Sequence, residues 1–233
     1  MKKLIFIILS FYLFGTMSFA QTNEKPKNEK RVTVGPKFPV CMKGGMSFST
    51  PQKHVVYFPV EMYEEGILEQ IEFSFDSNRI FSEKGDTVGY KMPIMLKIYA
   101  RNIEKNIPGD ELLKDTIIIV PQKKNQKIKI DISKYGIVLP PEGIYCGFET
   151  FSTDWYVKHG YLTMDNLSYQ TKNYQKNKTG PEYIFHSPAV STNRNKKEVK
   201  KYQNYVLGGY AKEWKNVNEM FHSTLIIRLH IRK

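Results

Sequence analysis

The stretch IMLKIYAR, residues 94–101, carries an apolar or small side chain at every second position from Ile94 to Ala100. Because side chains of a β-strand point to opposite faces in turn, this period of two predicts a half-buried strand. The same period occurs in residues 67–75, 127–132 and 225–232. Further strands are predicted at His54–Val60, Gly143–Phe151 and near residues 202–210. The β-branched run Thr116–Val120 predicts a strand that is covered on both faces.

Helical segments are few and short in this sequence. Only Glu61–Gln70 and Asn195–Gln203 have room for a helical turn or two, and neither carries a long apolar stripe. Turn residues such as Pro108-Gly109 and Pro140-Pro141 separate the predicted strands. Antiparallel strands without alternating helices predict an all-β fold, an antiparallel β-sandwich of jelly-roll type with few short helical turns.

The first twenty residues have the features of a cleaved signal peptide. Lys2 and Lys3 precede the apolar run LIFIILSFYLF, residues 4–14, which is too short to span a bilayer. Ser18 and Ala20 are the small residues expected at a cleavage site before Gln21. The sequence therefore predicts export to the periplasm, the outer-membrane surface or the extracellular space, with no transmembrane segment in the mature chain.

The remainder of the chain divides into a lead-in and one domain. Residues 21–38 are polar and basic and predict a flexible lead-in. Residues 39–233 predict a single β-sandwich domain, interrupted at about 171–201 by a long loop or insertion with room for one short strand, Glu182–His186.

The composition excludes several classes of protein. The chain has 233 residues, of which 41% are hydrophobic and 25% are charged, with a net charge of +12. This is enough apolar material for one core and too many charges for a polytopic membrane protein. The two cysteines, Cys41 and Cys146, exclude a disulfide-rich scaffold. An exported chain permits a disulfide between them, but Cys146 alternates with Ile144 and Phe148 as a core residue would, so two separate thiols are the other alternative.

Three segments resemble a known family. They are IPGDELL (107–113), IDISKYGIVLP (130–140) and EGIYCGFE (142–149), followed near the end by YVLGGYAKEW (205–214) and a last strand that contains Arg228. The pattern is similar to that of a largely uncharacterised family of secreted β-sandwich proteins of Bacteroidota, whose domain also occurs behind carboxypeptidase-regulatory-like modules. The resemblance covers roughly residues 50–232. It implies a jelly-roll fold and a location in the cell envelope or outside the cell, and it carries no catalytic residues.

Recognised catalytic motifs are absent from the sequence. There is no nucleophile elbow, no H-E-x-x-H zinc motif and no phosphate-binding glycine loop. The five histidines are scattered, and no cysteine has the spacing of a metal ligand. Carboxylate pairs for glycoside hydrolysis are the remaining route to catalysis, from Glu61, Glu64 and Glu65 or from Glu149 with Asp154. No cofactor is predicted, although Asp76, Ser77, Asn78, Glu83 and Asp86 offer oxygen ligands for calcium.

The segment FSTDWYVKHGY, residues 151–161, is the candidate ligand site. It follows a predicted core strand and places Trp155, Tyr156 and Tyr161 beside Asp154 and His159 in a predicted loop. Aromatic rings stack on sugar faces, while acidic and imidazole groups hydrogen bond to hydroxyls. The alternative is that Trp155 and Tyr156 cap one end of the sandwich.

Positive charge concentrates in two runs, which carry Lys123, Lys124 and Lys127 and then Arg194, Lys196 and Lys197. Such runs suit anionic partners or are solvated loops, and no nucleic acid is expected as the partner of an exported protein. The sequence therefore predicts an exported, non-enzymatic module for binding, adhesion or envelope assembly, with a glycan or an envelope component as the partner. A glycan-active hydrolase, or an accessory subunit of one, is the alternative.

Overall fold

The described part of the chain forms sixteen strands and a few short helices. A computed structural model describes residues 29–36, 45–46, 51–75, 79–88, 91–123, 125–168, 190–208, 211–218 and 224–233. The strands are β1 (Arg31–Val34), β2 (Gly45–Met46), β3 (Gln52–Phe58), β4 (Ile67–Ser74), β5 (Arg79–Ser82), β6 (Gly85–Val88), β7 (Ile94–Asn102), β8 (Ile107–Glu111), β9 (Ile118–Ile119), β10 (Lys127–Asp131), β11 (Ile144–Thr150), β12 (Val190–Asn193), β13 (Asn204–Gly208), β14 (Ala211–Asn216), β15 (Thr224–Leu225) and β16 (Ile227–Arg232). Two helices are α1 (Thr153–Lys158) and α2 (Lys196–Lys201), residues 164–168 are also helical, and 3₁₀ turns occur at Val60–Met62 and Ser133–Tyr135.

Two antiparallel sheets make the sandwich. A four-stranded sheet has the order β1-β16-β4-β10, and a large sheet has the order β14-β13-β3-β11-β7-β8, with β9 paired to β7. Of the strands in the centre of the chain, β3, β7 and β11 belong to the large sheet, and β4 and β10 belong to the four-stranded sheet. The chain therefore alternates between the two sheets along the series β3, β4, β7, β10 and β11. This alternation between two antiparallel layers confirms the predicted β-sandwich of jelly-roll type. Two small sheets, β15-β12-β2 and β5-β6, accompany them.

The core lies between the two sheets. Phe73 of β4 and Phe148 of β11 meet edge to face with their ring centroids 6.3 Å apart. Alternate residues of each strand supply the remainder of this core: Val56, Phe58, Ile71, Leu96, Ile98, Ile144, Cys146, Leu229 and Ile231. The period of two in the sequence therefore identified the buried face of these strands.

Cys146 lies in this core as a free, fully buried thiol. Burial raises the pKa of the thiol, which keeps it protonated and unreactive. Cys41, its partner in the disulfide alternative, lies outside the described residues.

Two predicted elements differ from the structure. The continuous strand Thr116–Val120 is wrong, because only Ile118–Ile119 pair, with the start of β7, and Ile118 remains 48% exposed. The helical segment Glu61–Gln70 is also wrong beyond the 3₁₀ turn Val60–Met62, since β4 begins at Ile67. In contrast, α2 confirms the helix predicted at Asn195–Gln203, and the Asn195 side chain caps it by accepting from Lys197 N.

Parts of the predicted lead-in and of the predicted insertion form regular elements. Arg31–Val34, inside the predicted flexible lead-in, pairs with β16 and buries Val34. Of the predicted insertion, β12 and α2 are regular elements, while Glu182–His186 lies outside the described residues, as does the predicted signal peptide. Among the residues described, no helix is long and apolar enough to cross a membrane.

Candidate functional site

The segment 151–161 forms an aromatic cap around Trp155. It is a helix rather than the predicted loop, because Ser152 caps α1 by accepting from Trp155 N and the sequence after it has no strand alternation. Phe151 stacks on Trp155 with a centroid separation of 3.8 Å, and His159 does so at 4.0 Å. Two rings this close and nearly parallel to one indole occupy its two opposite faces. Tyr161 lies parallel to the indole at 5.9 Å.

The cap residues thus come together as predicted, but their roles differ. Tyr156 is completely buried, donates from its hydroxyl to the Pro93 carbonyl at 2.7 Å and packs with Met92 and Leu162. Its assignment as a ligand residue is therefore incorrect, and Tyr156 caps the sandwich as the alternative held. Asp154 lies exposed in the first turn of α1. The cap leaves little free ring surface on Trp155 for a sugar.

A second aromatic group lies on the outer face of the large sheet, opposite the core. Tyr99, Tyr145 and Tyr57 stand in one cross-strand row over β7, β11 and β3. Together with Val55, Tyr205 and Trp214 they form what we call the outer aromatic cluster. Tyr99 is only 5% exposed, although the alternation of its strand predicts a solvent-facing position.

Curling of the large sheet explains this burial. The two strands at its ends, β8 and β14, contact each other. Trp214 of β14 meets Tyr99 of β7 edge to face at 5.6 Å across the resulting trough. The outer face thereby encloses its own small apolar cluster.

One margin of the outer face is a charged group around Lys97. The ammonium lies 2.9 Å from a Glu111 carboxylate oxygen and 3.4 Å from one of Glu149, which also faces Lys53 at 3.9 Å. Burial alone would lower the pKa of Lys97, but the hydrogen bonds and ion pairs with Glu111 and Glu149 outweigh it and raise that pKa. Lys97 is therefore a fixed positive charge that contacts both carboxylates.

The other margin is an open cleft of about 740 Å³, which we call the basic cleft. One side comes from α2 and from Arg194, which lies between β12 and α2. The other side comes from Gln203, just before β13, and from the end of β14 and the residues after it. Its lining consists of Arg194, Lys196, Val199, Lys200, Gln203, Asn216 and Asn218. The volume falls within the range of ligand pockets in proteins.

A chain of amide hydrogen bonds makes this cleft rigid. Asn218 Oδ1 accepts from Asn204 N at 2.6 Å, and its Nδ2 donates to the Tyr202 carbonyl at 3.2 Å. Asn218 N in turn donates to Asn216 Oδ1 at 3.0 Å, which fixes the orientation of the Asn216 amide. The carboxamides thus join the end of α2 to β13 and to the end of β14.

The same chain fixes Gln203. Because Asn216 Oδ1 accepts from a backbone N–H, Asn216 Nδ2 must donate, and it does so to Gln203 Oε1 at 3.3 Å. The Tyr205 hydroxyl donates to the same Oε1 at 3.2 Å. Gln203 Nε2 is therefore held with two N–H donors that have no partner among the described residues.

The predicted basic patch is divided by the structure. Arg194 and Lys196 line the basic cleft, and Lys200, which the prediction omitted, joins them. Lys197 is an exposed residue of α2 outside the lining. Lys127 is the first residue of β10, an edge strand of the four-stranded sheet, and Lys123 lies in the loop before it, while Lys124 is outside the described residues.

The remaining acidic candidates do not assemble a metal site within the described ranges, where no three His, Cys, Asp or Glu side chains converge. Glu64 pairs with Lys233 at 2.6 Å, and the hydrogen bond from that lysine lowers the pKa of Glu64. Glu61 and Glu65 belong to the same exposed turn. Asp76, Ser77 and Asn78, the first of the calcium candidates, lie outside the described residues.

The fold and the cleft define a class: an all-β domain, an antiparallel β-sandwich of jelly-roll type with a basic cleft at one edge of its large sheet. No protein-family model matches the chain, and no curated protein matches it. Among solved structures it is similar to the cysteine protease and lectin-like domains of Cwp84, a surface layer associated protein of Clostridium difficile, with 9% identity and a TM-score of 0.43 over 79% of this chain and 33% of that one.

A structure of the clostridial cysteine protease Cwp84 after propeptide cleavage is similar at 9% identity and a TM-score of 0.44, over 87% of this chain and 40% of that one. The chain thus spans well under half the length of the structures it matches. A likeness this distant says nothing about what this chain binds or catalyses.

Proposed function

We propose that the chain is an exported, non-enzymatic β-sandwich module that binds a glycan, and that the basic cleft is its binding site. The observation that carries this proposal is the orientation of Gln203, whose Nε2 donors are fixed by the Asn216 and Tyr205 hydrogen bonds and lie in the lining of an open cleft. A pre-oriented carboxamide is suited to hydrogen bond with sugar hydroxyls, because it loses little side-chain freedom on binding.

We favour the basic cleft over the aromatic cap because the side chains of the cleft have surface that no other described side chain covers. In the cap, the indole of Trp155 already has Phe151 on one face and His159 on the other. In the cleft, Arg194, Lys196 and Lys200 are exposed and Gln203 is half-buried. Ligand binding in the cleft therefore requires no rearrangement of the fold.

A panel of immobilised neutral and acidic glycans tests the proposal. We expect the wild-type chain to bind a subset of them, Gln203→Ala to weaken that binding at least fivefold, and Gln122→Ala, an exposed glutamine in the loop before β10, to bind as the wild type does. Since Gln203 also belongs to the amide chain, melting temperatures accompany the comparison, and Arg194→Ala provides a cleft variant that leaves the amides intact. Absence of binding to every glycan would contradict the proposal.

Export is supported by the basic start, the short apolar run and the small residues Ser18 and Ala20. The mature chain is expected to begin at Gln21. Mass spectrometry of the chain recovered from outside the cytoplasm tests this cleavage, and recovery of an intact residue 1–20 segment contradicts it.

A glycan-active hydrolase is the second candidate, because Glu149 and Glu111 approach each other on the outer face. A glycosidic bond must lie between the two catalytic carboxylates, whereas here the Lys97 ammonium contacts both Glu111 and Glu149, at 2.9 Å and 3.4 Å. We therefore expect no release of reducing sugar from the glycans that bind. Release that is lost in Glu149→Gln would favour the hydrolase.

A further inference from the structure

The cations of the basic cleft have no counter-charge in its lining. Arg194, Lys196 and Lys200 supply three positive charges, and none of the described residues that line the cleft carries a carboxylate. None of the three forms an ion pair or a hydrogen bond with any described residue, in contrast to the lysines around Glu149 on the other margin. The cleft therefore concentrates positive charge that the described residues do not neutralise.

The helix geometry brings two of these charges together. Lys196 and Lys200 are four residues apart in α2, so their side chains leave the same face of the helix. Like charges at this spacing repel and weaken a helix. Arg194 precedes the helix by two positions and lines the same cleft. An anion that bridges the three cations relieves this repulsion.

The polar side of the cleft adds a different chemistry. Gln203 offers Nε2 donors, and Asn216 lies beside it with its own amide fixed by Asn218 N. Carboxamides of this kind hydrogen bond to hydroxyls and discriminate poorly between phosphates and other anions. A ligand that uses both sides carries hydroxyl groups as well as acidic groups, and acidic polysaccharides have this composition.

We infer that the glycan bound in the basic cleft is acidic, a polysaccharide with carboxylate or sulfate groups. Arg194, Lys196 and Lys200 bind the acidic groups, and Gln203 and Asn216 bind neighbouring hydroxyls. This inference rests on the proposed function and adds the chemical class of the ligand. Because the cations are exposed, the contribution of each is modest and falls as salt is added.

Titration calorimetry with polygalacturonate, with chondroitin sulfate and with carboxyl-reduced polygalacturonate tests the inference. We expect the wild-type chain to bind at least one of the acidic polymers at least tenfold more tightly than the neutral one. The variant with Arg194→Gln, Lys196→Gln and Lys200→Gln should lose at least tenfold in affinity for the acidic polymer. A control with Lys105→Gln, Lys114→Gln and Lys123→Gln has the same net charge, changes exposed lysines outside the cleft and should stay within twofold of the wild type.

The outcomes separate the two proposals. Equal binding of the neutral and acidic polymers overturns the acidic class while the glycan site stands, and failure to bind any glycan overturns both. Equal losses in the two triple variants show attraction by net charge and overturn the inference. Single-stranded DNA that binds as tightly through the same three residues overturns it too, because the cleft is then a general polyanion site.

Discussion

At the scale of single residues, Trp155 shows how one side chain can suggest a ligand site and serve the fold. Its indole lies between Phe151 and His159, and His159 Nδ1 donates to the Trp155 carbonyl at 2.8 Å. The composition of residues 151–161 could be read from the sequence, but the stacking partners could not, because they depend on the helix that Ser152 initiates.

Trp155→Ala is expected to destabilise the domain by about 2–4 kcal/mol, since it removes a stacked ring from the aromatic cap. Thermal melting measures the loss, with Lys158→Ala, an exposed residue of the same helix, as the control. An unchanged melting temperature together with lost glycan binding would instead make the cap the ligand site.

His54 gives the domain a pH dependence of its own. It is fully buried and stacks on Phe148, and burial lowers its pKa to about 3 from the ordinary 6.5. Between these values the unfolded chain binds a proton that the folded chain does not, so stability is complete above pH 6.5 and falls as the pH falls. At pH 5 this histidine alone is expected to cost about 2 kcal/mol.

Urea unfolding at pH 7 and pH 5 tests the role of His54. The loss of stability between the two pH values should be about 2 kcal/mol smaller in His54→Leu than in the wild type. The comparison is made within each protein, so any overall destabilisation by the substitution does not affect it. An identical loss in both proteins would show that folding does not lower the pKa of His54.

At the scale of elements, the alternation of apolar and polar residues predicted most strands well. It predicted poorly where regular structure begins and ends. The period of two identified β4, β7, β10, β11 and β16 because each has one face in the core. It could not identify β1, because only four residues form this strand, they follow a polar segment, and they pair with an edge that β16 offers. Thr116–Val120 failed for the opposite reason, since within it only Ile118 and Ile119 pair, with the first two residues of β7.

A chain that starts at residue 37 should be less stable than one that starts at Glu29 by about 2–3 kcal/mol, because it loses the burial of Val34 and the pairing with β16. The shorter chain also lacks the ion pair between Arg31 Nε and Glu69 Oε2, which lie 3.2 Å apart. Equal urea midpoints for the two chains would show that residues 29–36 add no stability, as expected of the flexible lead-in that the sequence predicts.

At the scale of the whole molecule, the large sheet is closed on its outer face by contact between its two ends. Contact of β14 with β8 encloses the outer aromatic cluster and leaves the basic cleft at one margin. The sequence could not reveal this arrangement, since Tyr99 and Trp214 are distant in the chain and the curl of a sheet leaves no local pattern. The cations Arg194 and Lys196 could be predicted, whereas the amides of Gln203, Asn216 and Asn218 are ordinary until the fold joins them.

Trp214→Ala should open this closure and cost about 2–4 kcal/mol. Hydrogen exchange is expected to accelerate in β8 and β14 while β4 and β16 keep their protection. Lys212→Ala, an exposed position of the same strand, serves as the control. Acceleration spread evenly over both sheets would mean that Trp214 supports the fold as a whole.

The measurement that tests the central claim most directly is hydrogen exchange of the full chain with and without an acidic polysaccharide. If the basic cleft binds it, protection should increase in residues 194–203 and 211–218, which carry the cations and the fixed amides of the cleft, and residues 151–161 should exchange as before. Protection that centres on residues 151–161, with none at the cleft, would contradict the account.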